Sequence, residues 1–146
     1  MLISNGPPTG AQLALQGAVL TLQVEVPAAM RQALQQAGQP VPAPRAVQGL
    51  IDTGASITGV ADAILQGLGL TPIRTVTLNG VGGPSPHGVY MADLHLPLGP
   101  QRLSFQGRQM VGFHLTPPYE ALIGRDLLQM MQLTYHGPHG IWTLAF

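Results

Sequence analysis

The sequence predicts an all-β fold with one or two short helices, formed by a single domain. Many short segments of alternating apolar and polar residues are separated by turns, and the chain carries 19 glycines and 14 prolines. Short strands bounded by Gly/Pro turns are typical of all-β domains. A length of 146 residues suits one domain, and a hydrophobic content of 45% is ample for one core.

The first third of the chain is predicted to contain a tail, a strand and a helix. Residues 1–10 are rich in proline and glycine and are expected to be a flexible tail, which leaves residues 11–146 for the domain. Val19–Val26 alternates apolar with polar residues and predicts a half-buried strand. A short helix is expected over Pro27–Gly38, followed by a rigid proline-rich loop up to Pro44.

The remaining segments indicate a hairpin, a second short helix and further strands. Arg74–Leu78 and His87–Leu94 are strand-like and flank the glycine-rich segment Gly80–Gly83, so they predict a β-hairpin. The second helix is expected over Ala61–Leu68. The other expected strands are Arg45–Ile51, Gln101–Gln106, Arg108–Leu115, Gln132–Tyr135 and Gly140–Phe146.

Composition excludes several classes of function. The net charge is zero, charged residues make up 8%, and all six cations are arginine, so we expect no basic patch for nucleic acid or a membrane surface. No apolar run reaches the ~18 residues that span a bilayer. The absence of cysteine excludes disulfides and thiol catalysis. The N-terminus lacks the pattern of a signal peptide, so a cytoplasmic location is expected, although a domain excised from a longer secreted protein would show the same pattern.

The most informative segment is Asp52-Thr53-Gly54, which follows the apolar residues Leu50 and Ile51. A carboxylate that activates water must sit at a strand end, where backbone N–H groups hold it. Glycine beside it allows a second copy of the same loop to approach closely, and the threonine hydroxyl can donate or accept a hydrogen bond across that junction. Such a triplet alone is also common in turns, so the surrounding sequence must decide whether it is a catalytic loop or an ordinary turn.

Three segments, in this order, resemble the retroviral (retropepsin-like) single-domain aspartic proteases. They are Gly49–Val60 around the triplet, the hairpin tip Gly80–Gly83, and Ala121–Leu128, in which Gly124 lies 72 residues after Asp52. The resemblance covers roughly residues 45–130 and implies a closed or partly open small barrel. The hairpin would be the flap of that family. Residues 28–44 are interpreted as a helix–loop insertion into this fold.

The triplet occurs once among four aspartates, and the resemblance implies that the second catalytic aspartate comes from an identical chain. An aspartic protease needs two aspartates that share one proton, because two like charges ~3 Å apart cannot both ionise. The chain is too short for two lobes, so we expect a symmetric homodimer. The expected partners are a second copy and a peptide substrate, and no cofactor or metal is expected.

The resemblance implies a role for each motif residue in peptide hydrolysis. Asp52 and its copy would activate a water molecule, with Thr53 joining the two loops and Gly54 N–H bonded to the carboxylate. The expected structural motif is Gly124, Arg125 and Asp126, and the expected substrate-binding residues are Ala55, Ile57, Gly80, Val81, Gly82, Leu122 and Ile123.

Two alternatives remain open from the sequence. The chain could be a dimeric peptide-binding or scaffold domain of the same fold with weak or no catalysis, although the intact triplet and the glycine-rich hairpin speak against it. It could also be a protease that depends on a partner domain or on autoprocessing.

Other conspicuous residues are interpreted as structural. Asp93 and His95 are expected to form a solvated pair on one face of a strand. His136 and His139 have neither cysteine nor nearby carboxylates, so no metal site is expected there. Three apolar residues near the C-terminus are expected in the core or, as we favour, in terminal strands that join subunits: Trp142, Leu144 and Phe146.

Overall fold

The structure, a computed structural model, describes residues 2–4, 9–98 and 100–146, and these form ten strands, four helices and one 3₁₀ turn. The strands are β1 (Leu2–Ser4), β2 (Val19–Glu25), β3 (Arg45–Ile51), β4 (Gly59–Ala61), β5 (Arg74–Gly80), β6 (Gly83–Leu98), β7 (Gln101–Phe113), β8 (Ala121–Ile123), β9 (Gln132–His136) and β10 (Ile141–Ala145). The helices are α1 (Gly10–Gln16), α2 (Ala28–Gln36), α3 (Asp62–Gly67) and α4 (Arg125–Leu128), and the 3₁₀ turn covers Gly137–His139. The predicted all-β class is confirmed, although the described residues hold four short helices rather than one or two.

Six of the strands close into a barrel. Their hydrogen-bonded order is β2-β3-β8-β4-β7-β6, and β6 pairs back onto β2 to complete the ring, while β5 pairs with β6 outside it. The β3–β8 and β4–β7 pairs are parallel, and the other pairs of the ring are antiparallel. Closure satisfies strand edges that would otherwise be free. The expected small barrel is therefore confirmed.

The core is formed by the alternate strand residues that point into the barrel. In β2, Leu20, Leu22 and Val24 are at most 1% exposed, whereas Thr21 and Gln23 face outward. This follows from strand geometry, because successive side chains point to opposite faces of a sheet. Each fully buried aliphatic side chain of this kind contributes about 1.5–3 kcal/mol by leaving water.

A second sheet joins the two ends of the chain. Its three strands are antiparallel in the order β1-β10-β9. Trp142 and Leu144 alternate along β10 and are 1% and 0% exposed in the single chain, so these two residues belong to its core. Phe146, which follows β10, is 38% exposed.

The segment expected to be a flexible tail, residues 1–10, is only partly described. Within it, β1 pairs with β10. The helix α1 begins directly after Thr9, whose side chain accepts a hydrogen bond from the N–H of Gln12 at 3.2 Å. An N-cap of this type stabilises a helix by about 1 kcal/mol. Residues 1 and 5–8 lie outside the described part of the chain.

One long strand replaces two predicted ones. The sequence predicts separate strands at Gln101–Gln106 and Arg108–Leu115, whereas β7 runs through Gly107 at φ +57°. Glycine tolerates this left-handed backbone conformation. The register with β6 shifts between Ala92 and Leu94, so a bulge absorbs the irregularity and the strand continues.

Asp93 and His95 are buried, which corrects the expectation of a solvated pair. Their exposed fractions are 1% and 4%. The start of α2 lies over this face of the sheet, because Asp93 Oδ2 accepts a hydrogen bond from the N–H of Ala28 at 3.1 Å. The other oxygen, Oδ1, accepts from the N–H of Gly107 at 2.7 Å. Alternation within one strand could not reveal that a helix packs on its outer face.

Glu25 links the same face of the sheet to α2. His95 lies between two partners, with Nε2 2.9 Å from Glu25 Oε2 and Nδ1 2.8 Å from Ser104 Oγ. Arg31 of α2 forms an ion pair with the same Glu25 carboxylate. Burial raises the pKa of Glu25, but hydrogen bonds from His95 and Arg31 and the Arg31 charge outweigh burial and hold that pKa below its ordinary value.

The lowered pKa of Glu25 predicts that the protein loses stability in acid through this residue. A carboxyl whose folded-state pKa lies below its unfolded value adds stability above the unfolded pKa and loses it as the pH falls through the folded value. We expect Glu25→Gln to lower the free energy of unfolding by about 2 kcal/mol near neutral pH. The difference from the unmodified protein should shrink once the pH drops below 4.5, the ordinary value for this group.

Urea denaturation of both proteins from neutral to acidic pH measures this difference. Glu120→Gln is the matched control, because it makes the same change at the other glutamate of the chain. A deficit of Glu25→Gln that stays constant over the whole pH range, or that Glu120→Gln reproduces, would contradict the prediction.

Candidate active site

The Asp-Thr-Gly triplet forms a tight loop where β3 ends. The N–H of Asp52 donates to the carbonyl of Ile123 at 3.0 Å, and the N–H of Ala55 donates to the carbonyl of Asp52 at 3.2 Å. The N–H of Gly54 donates to Asp52 Oδ1 at 2.9 Å. The half-buried carboxylate is thus held in one orientation at the end of a barrel strand, and the neighbouring Thr53 is exposed in the single chain.

The chain crosses itself next to this loop at Gly124. The strand that precedes it, β8, lies between β3 and β4 in the barrel. A Cβ atom on Gly124 would lie 2.5 Å from the carbonyl carbon of Ile57 and 2.8 Å from the nitrogen of Thr58. A side chain therefore cannot fit without a shift of the backbone on one side of the crossing.

Asp126 joins the two crossing segments through Thr58. Its Oδ1 accepts hydrogen bonds from the Thr58 N–H at 2.9 Å and from the Thr58 hydroxyl at 2.7 Å. The Thr58 oxygen in turn accepts a hydrogen bond from the N–H of Gly124 at 3.0 Å. The sequence alone does not assign this role to Thr58, although a threonine between Ile57 and the segment Gly59–Ala61 is a signal that could have suggested a buried hydroxyl.

Arg125 holds the triplet loop from the other side. Its guanidinium donates to the carbonyl of Thr53 at 2.7 Å, and its N–H donates to the carbonyl of Ala55 at 2.9 Å. These bonds lie on either side of Gly54, whose own N–H is directed to the carboxylate. The segment Gly124–Asp126 therefore positions the loop through backbone contacts.

The predicted hairpin is present as β5 and β6. Gly80 pairs with Gly83, so the connecting turn consists of Val81 and Gly82. Gly83 has φ +95°, a conformation that favours glycine. The Val81 side chain is fully exposed at the tip.

A cleft of about 600 Å³ lies between the triplet loop and the hairpin. Its walls are formed by Gly54, Ala55, Ser56 and Ile57 of the loop, by Thr77, Leu78, Asn79, Gly80, Ser85 and His87 of the hairpin, and by Phe113 of β7. A groove of this kind between a carboxylate loop and an adjacent hairpin can receive an extended chain.

The structure brings some of the predicted substrate-binding residues to this cleft and not others. Ala55, Ile57 and Gly80 line it. Val81 and Gly82 form the hairpin turn above it. The two predicted residues of β8 do not line the cleft. Leu122 is half-buried, and Ile123 is fully buried in the core of the single chain.

Sequence reasoning missed the polar residues of the cleft wall. Ser85 and His87 lie two positions apart on β6 and thus share one face of the strand. Phe113 reaches the same region from β7, with its ring centroid 5.1 Å from that of His87. The alternation of Ser85 and His87 was a usable signal, but only the fold shows that their face borders the cleft.

The described residues offer no cluster of three or more His, Cys, Asp or Glu side chains that could hold a metal ion. His136 and His139 lie at the 3₁₀ turn, where their Nδ1 atoms are 2.8 Å apart. Within residues 2–4, 9–98 and 100–146, every helix is too short or too polar to cross a membrane.

Taken together, the barrel, the crossing at Gly124 and the held carboxylate are those of the single-domain aspartic protease class. The family model described as retroviral aspartyl protease matches residues 19–136 of the chain. The matched segment includes all six barrel strands, the triplet loop and the hairpin. The chain belongs to the retroviral aspartyl protease family.

A similar solved structure supports the fold. A retropepsin-like aspartic protease from Rickettsia conorii is 15% identical, with a TM-score of 0.53, and the match covers 100% of this chain and 91% of that one. The simian foamy virus (mac) protease is 17% identical with a TM-score of 0.42, covering 75% of this chain and 92% of that one. The EIAV protease in complex with the inhibitor HBY-793 is 17% identical with a TM-score of 0.43, covering 77% and 86%. A search of curated proteins found no significant match.

Proposed function

We propose that the chain is an aspartic endopeptidase that acts as a homodimer on extended polypeptide. One observation carries the proposal: the single Asp-Thr-Gly loop holds the Asp52 carboxylate with a backbone N–H and leaves Thr53 and Gly54 exposed. This exposure leaves the face of the loop open to a second copy of the chain. An identical loop related by a two-fold axis would complete it.

The proposed mechanism uses two aspartates and one water molecule. Asp52 of each copy lies against the same water, one ionised as general base and the other protonated as general acid. The water attacks the scissile carbonyl carbon, and its proton passes to the ionised carboxylate. The protonated carboxyl passes its proton to the carbonyl oxygen, which gives a diol. As the C–N bond breaks, the carboxyl that took the water proton gives it to the leaving amine, and a diol hydroxyl returns a proton to the other carboxylate. No covalent enzyme intermediate forms.

The remaining residues position these groups. Thr53 of each copy would bond across the two-fold axis, while Gly54 keeps its hydrogen bond to the carboxylate. Arg125 and Asp126 hold the loop through the backbone carbonyl of Thr53 and through Thr58. The hairpin of β5 and β6 would act as the flap, closing over a substrate that pairs with it as an added strand.

The proposal predicts cleavage that depends on protein concentration. Purified protein should hydrolyse an unstructured protein substrate, and an inhibitor that mimics the tetrahedral diol should block it. Specific activity should fall on dilution below the dimer dissociation constant, because a monomer supplies only one aspartate. Cleavage is followed by mass spectrometry of the products and the dimer by analytical ultracentrifugation in the same buffer.

Each result separates the proposal from its alternatives. Full specific activity from a species that sediments as a monomer would contradict the homodimeric site. A stable dimer that binds peptides but never cleaves them would favour the peptide-binding or scaffold domain. Activity that appears only after addition of a longer form of the protein would indicate dependence on a partner segment or on processing.

A further inference from the structure

Resting on the proposed function, we infer that Ser85 and His87 form a polar subsite that selects a carboxamide side chain, glutamine or asparagine, in the substrate. Both residues line the cleft on the hairpin side. Ser85 is exposed and His87 is half-buried, so their polar atoms border the space that a substrate would fill.

The hydrogen bonds of His87 define what the pair presents to a ligand. Its Nδ1 lies 3.1 Å from the carbonyl oxygen of Gly112, and a carbonyl only accepts, so Nδ1 carries the proton. Its Nε2 lies 2.8 Å from Ser85 Oγ. In the neutral ring Nε2 accepts from the Ser85 hydroxyl, which leaves the lone pairs of that oxygen for the cleft.

The same pair offers a donor when the imidazole carries a second proton. Nε2–H then donates to Ser85 Oγ, and the Ser85 hydroxyl proton is free to point at a ligand. The Ser85 hydroxyl thus presents an acceptor in one state and a donor in the other. A carboxamide, which has both an N–H donor and a carbonyl acceptor, can pair with Ser85 in either state.

The surroundings fit the stem of such a side chain. The Phe113 ring packs edge-on against the imidazole and fixes its plane, with ring centroids 5.1 Å apart and an interplanar angle of 63°. Leu78 lies opposite Ser85 in the hairpin register, and Ile57 lines the same cleft. Methylene groups can therefore lie on apolar surface while the amide reaches Ser85.

An aliphatic side chain of the same length would cover the Ser85 oxygen and leave its remaining hydrogen-bonding capacity unmet, which is unfavourable. We expect kcat/KM for a glutamine peptide to exceed that for its methionine counterpart by about tenfold at one substrate position. Methionine is the matched comparison because it is unbranched and similar in length to glutamine. Peptides that differ only by this exchange, moved through each position around the cleaved bond, identify the subsite.

Variants of the pair test the assignment. Ser85→Ala should bring the glutamine-to-methionine ratio close to one, since it removes the hydroxyl. His87→Phe should lower the ratio without abolishing it, since the hydroxyl remains but loses the ring nitrogen that orients it. Ser85→Thr should retain the ratio, because it restores the hydroxyl. The same peptides are titrated into Asp52→Asn with and without Ser85→Ala, so that binding is measured without cleavage.

The outcomes separate the subsite from the catalytic proposal. If the peptides are cleaved and Ser85→Ala leaves the glutamine-to-methionine ratio unchanged, the subsite is overturned. The proposed protease activity then stands. A Ser85-dependent preference in binding, without any cleavage by the unmodified protein, supports the subsite and overturns the protease. A methionine peptide that is cut or bound as well as the glutamine peptide at every position overturns the subsite directly.

Discussion

Asp52→Asn is expected to abolish peptide cleavage, with kcat/KM reduced at least about 10³-fold. The single substitution removes both halves of the proposed dyad at once, because each copy supplies the same residue. The amide oxygen of the introduced asparagine would still accept the Gly54 N–H in place of Oδ1, so the loop, the fold and the dimer should be retained. Initial rates on a peptide substrate measure cleavage, circular dichroism measures the fold, and sedimentation measures the dimer.

Asp62→Asn is the matched control for this experiment. Asp62 lies at the start of α3, outside the triplet and the residues that line the cleft, and accepts a hydrogen bond from the Tyr90 hydroxyl at 3.3 Å, which an asparagine oxygen can also accept. The control should keep its activity. Residual cleavage by a homogeneous Asp52→Asn preparation at the level of the control would remove Asp52 from the mechanism.

Gly124→Ala is expected to destabilise the protein by about 3 kcal/mol and to abolish most activity. The new methyl group would lie 2.5 Å from the Ile57 carbonyl carbon and 2.7 Å from its oxygen, and neither backbone atom can move freely. The shift would also stretch the hydrogen bond from Gly124 N–H to Thr58. Urea denaturation measures the loss of stability, and peptide cleavage measures the loss of activity.

Gly82→Ala provides the matched control at the hairpin turn. A Cβ atom there meets no other atom within 4 Å, and its φ lies outside the left-handed region. The free energy of unfolding should therefore change by no more than about 0.5 kcal/mol. If Gly124→Ala unfolded at the same urea concentration as Gly82→Ala, the crossing would not be the tight contact described above.

Several elements could be predicted from adjacent residues alone. Alternation placed the strand of Leu20, Leu22 and Val24 almost to its ends, and the glycine-rich turn at Val81 and Gly82 indicated a hairpin. The triplet loop was recognisable because its glycine, small residues and carboxylate are consecutive in the chain. In each case the physical cause is local, either the two-residue period of a strand or the backbone freedom of glycine.

Other features depend on a neighbour that the local pattern does not contain. The alternation that made Asp93 and His95 look solvated is real, but α2 packs on their face and Asp93 accepts the N–H of Ala28. Ile123 looked like a wall of the cleft, yet it is enclosed when β8 inserts between β3 and β4. A side chain is buried only when a second surface packs against it, and the sequence of one strand describes only the first of these two surfaces.

The amino-acid pattern alone established the β class, the single Asp-Thr-Gly loop and the hairpin. The tertiary structure decided which side chains surround the cleft, since His87, Ser85 and Phe113 meet there only after the barrel has closed. It also decided that Thr58 and Asp126 share hydrogen bonds, although they lie far apart in the chain. Short-range patterns specify backbone conformation, whereas contacts between distant segments arise only when the closed sheet brings them within hydrogen-bonding or van der Waals distance.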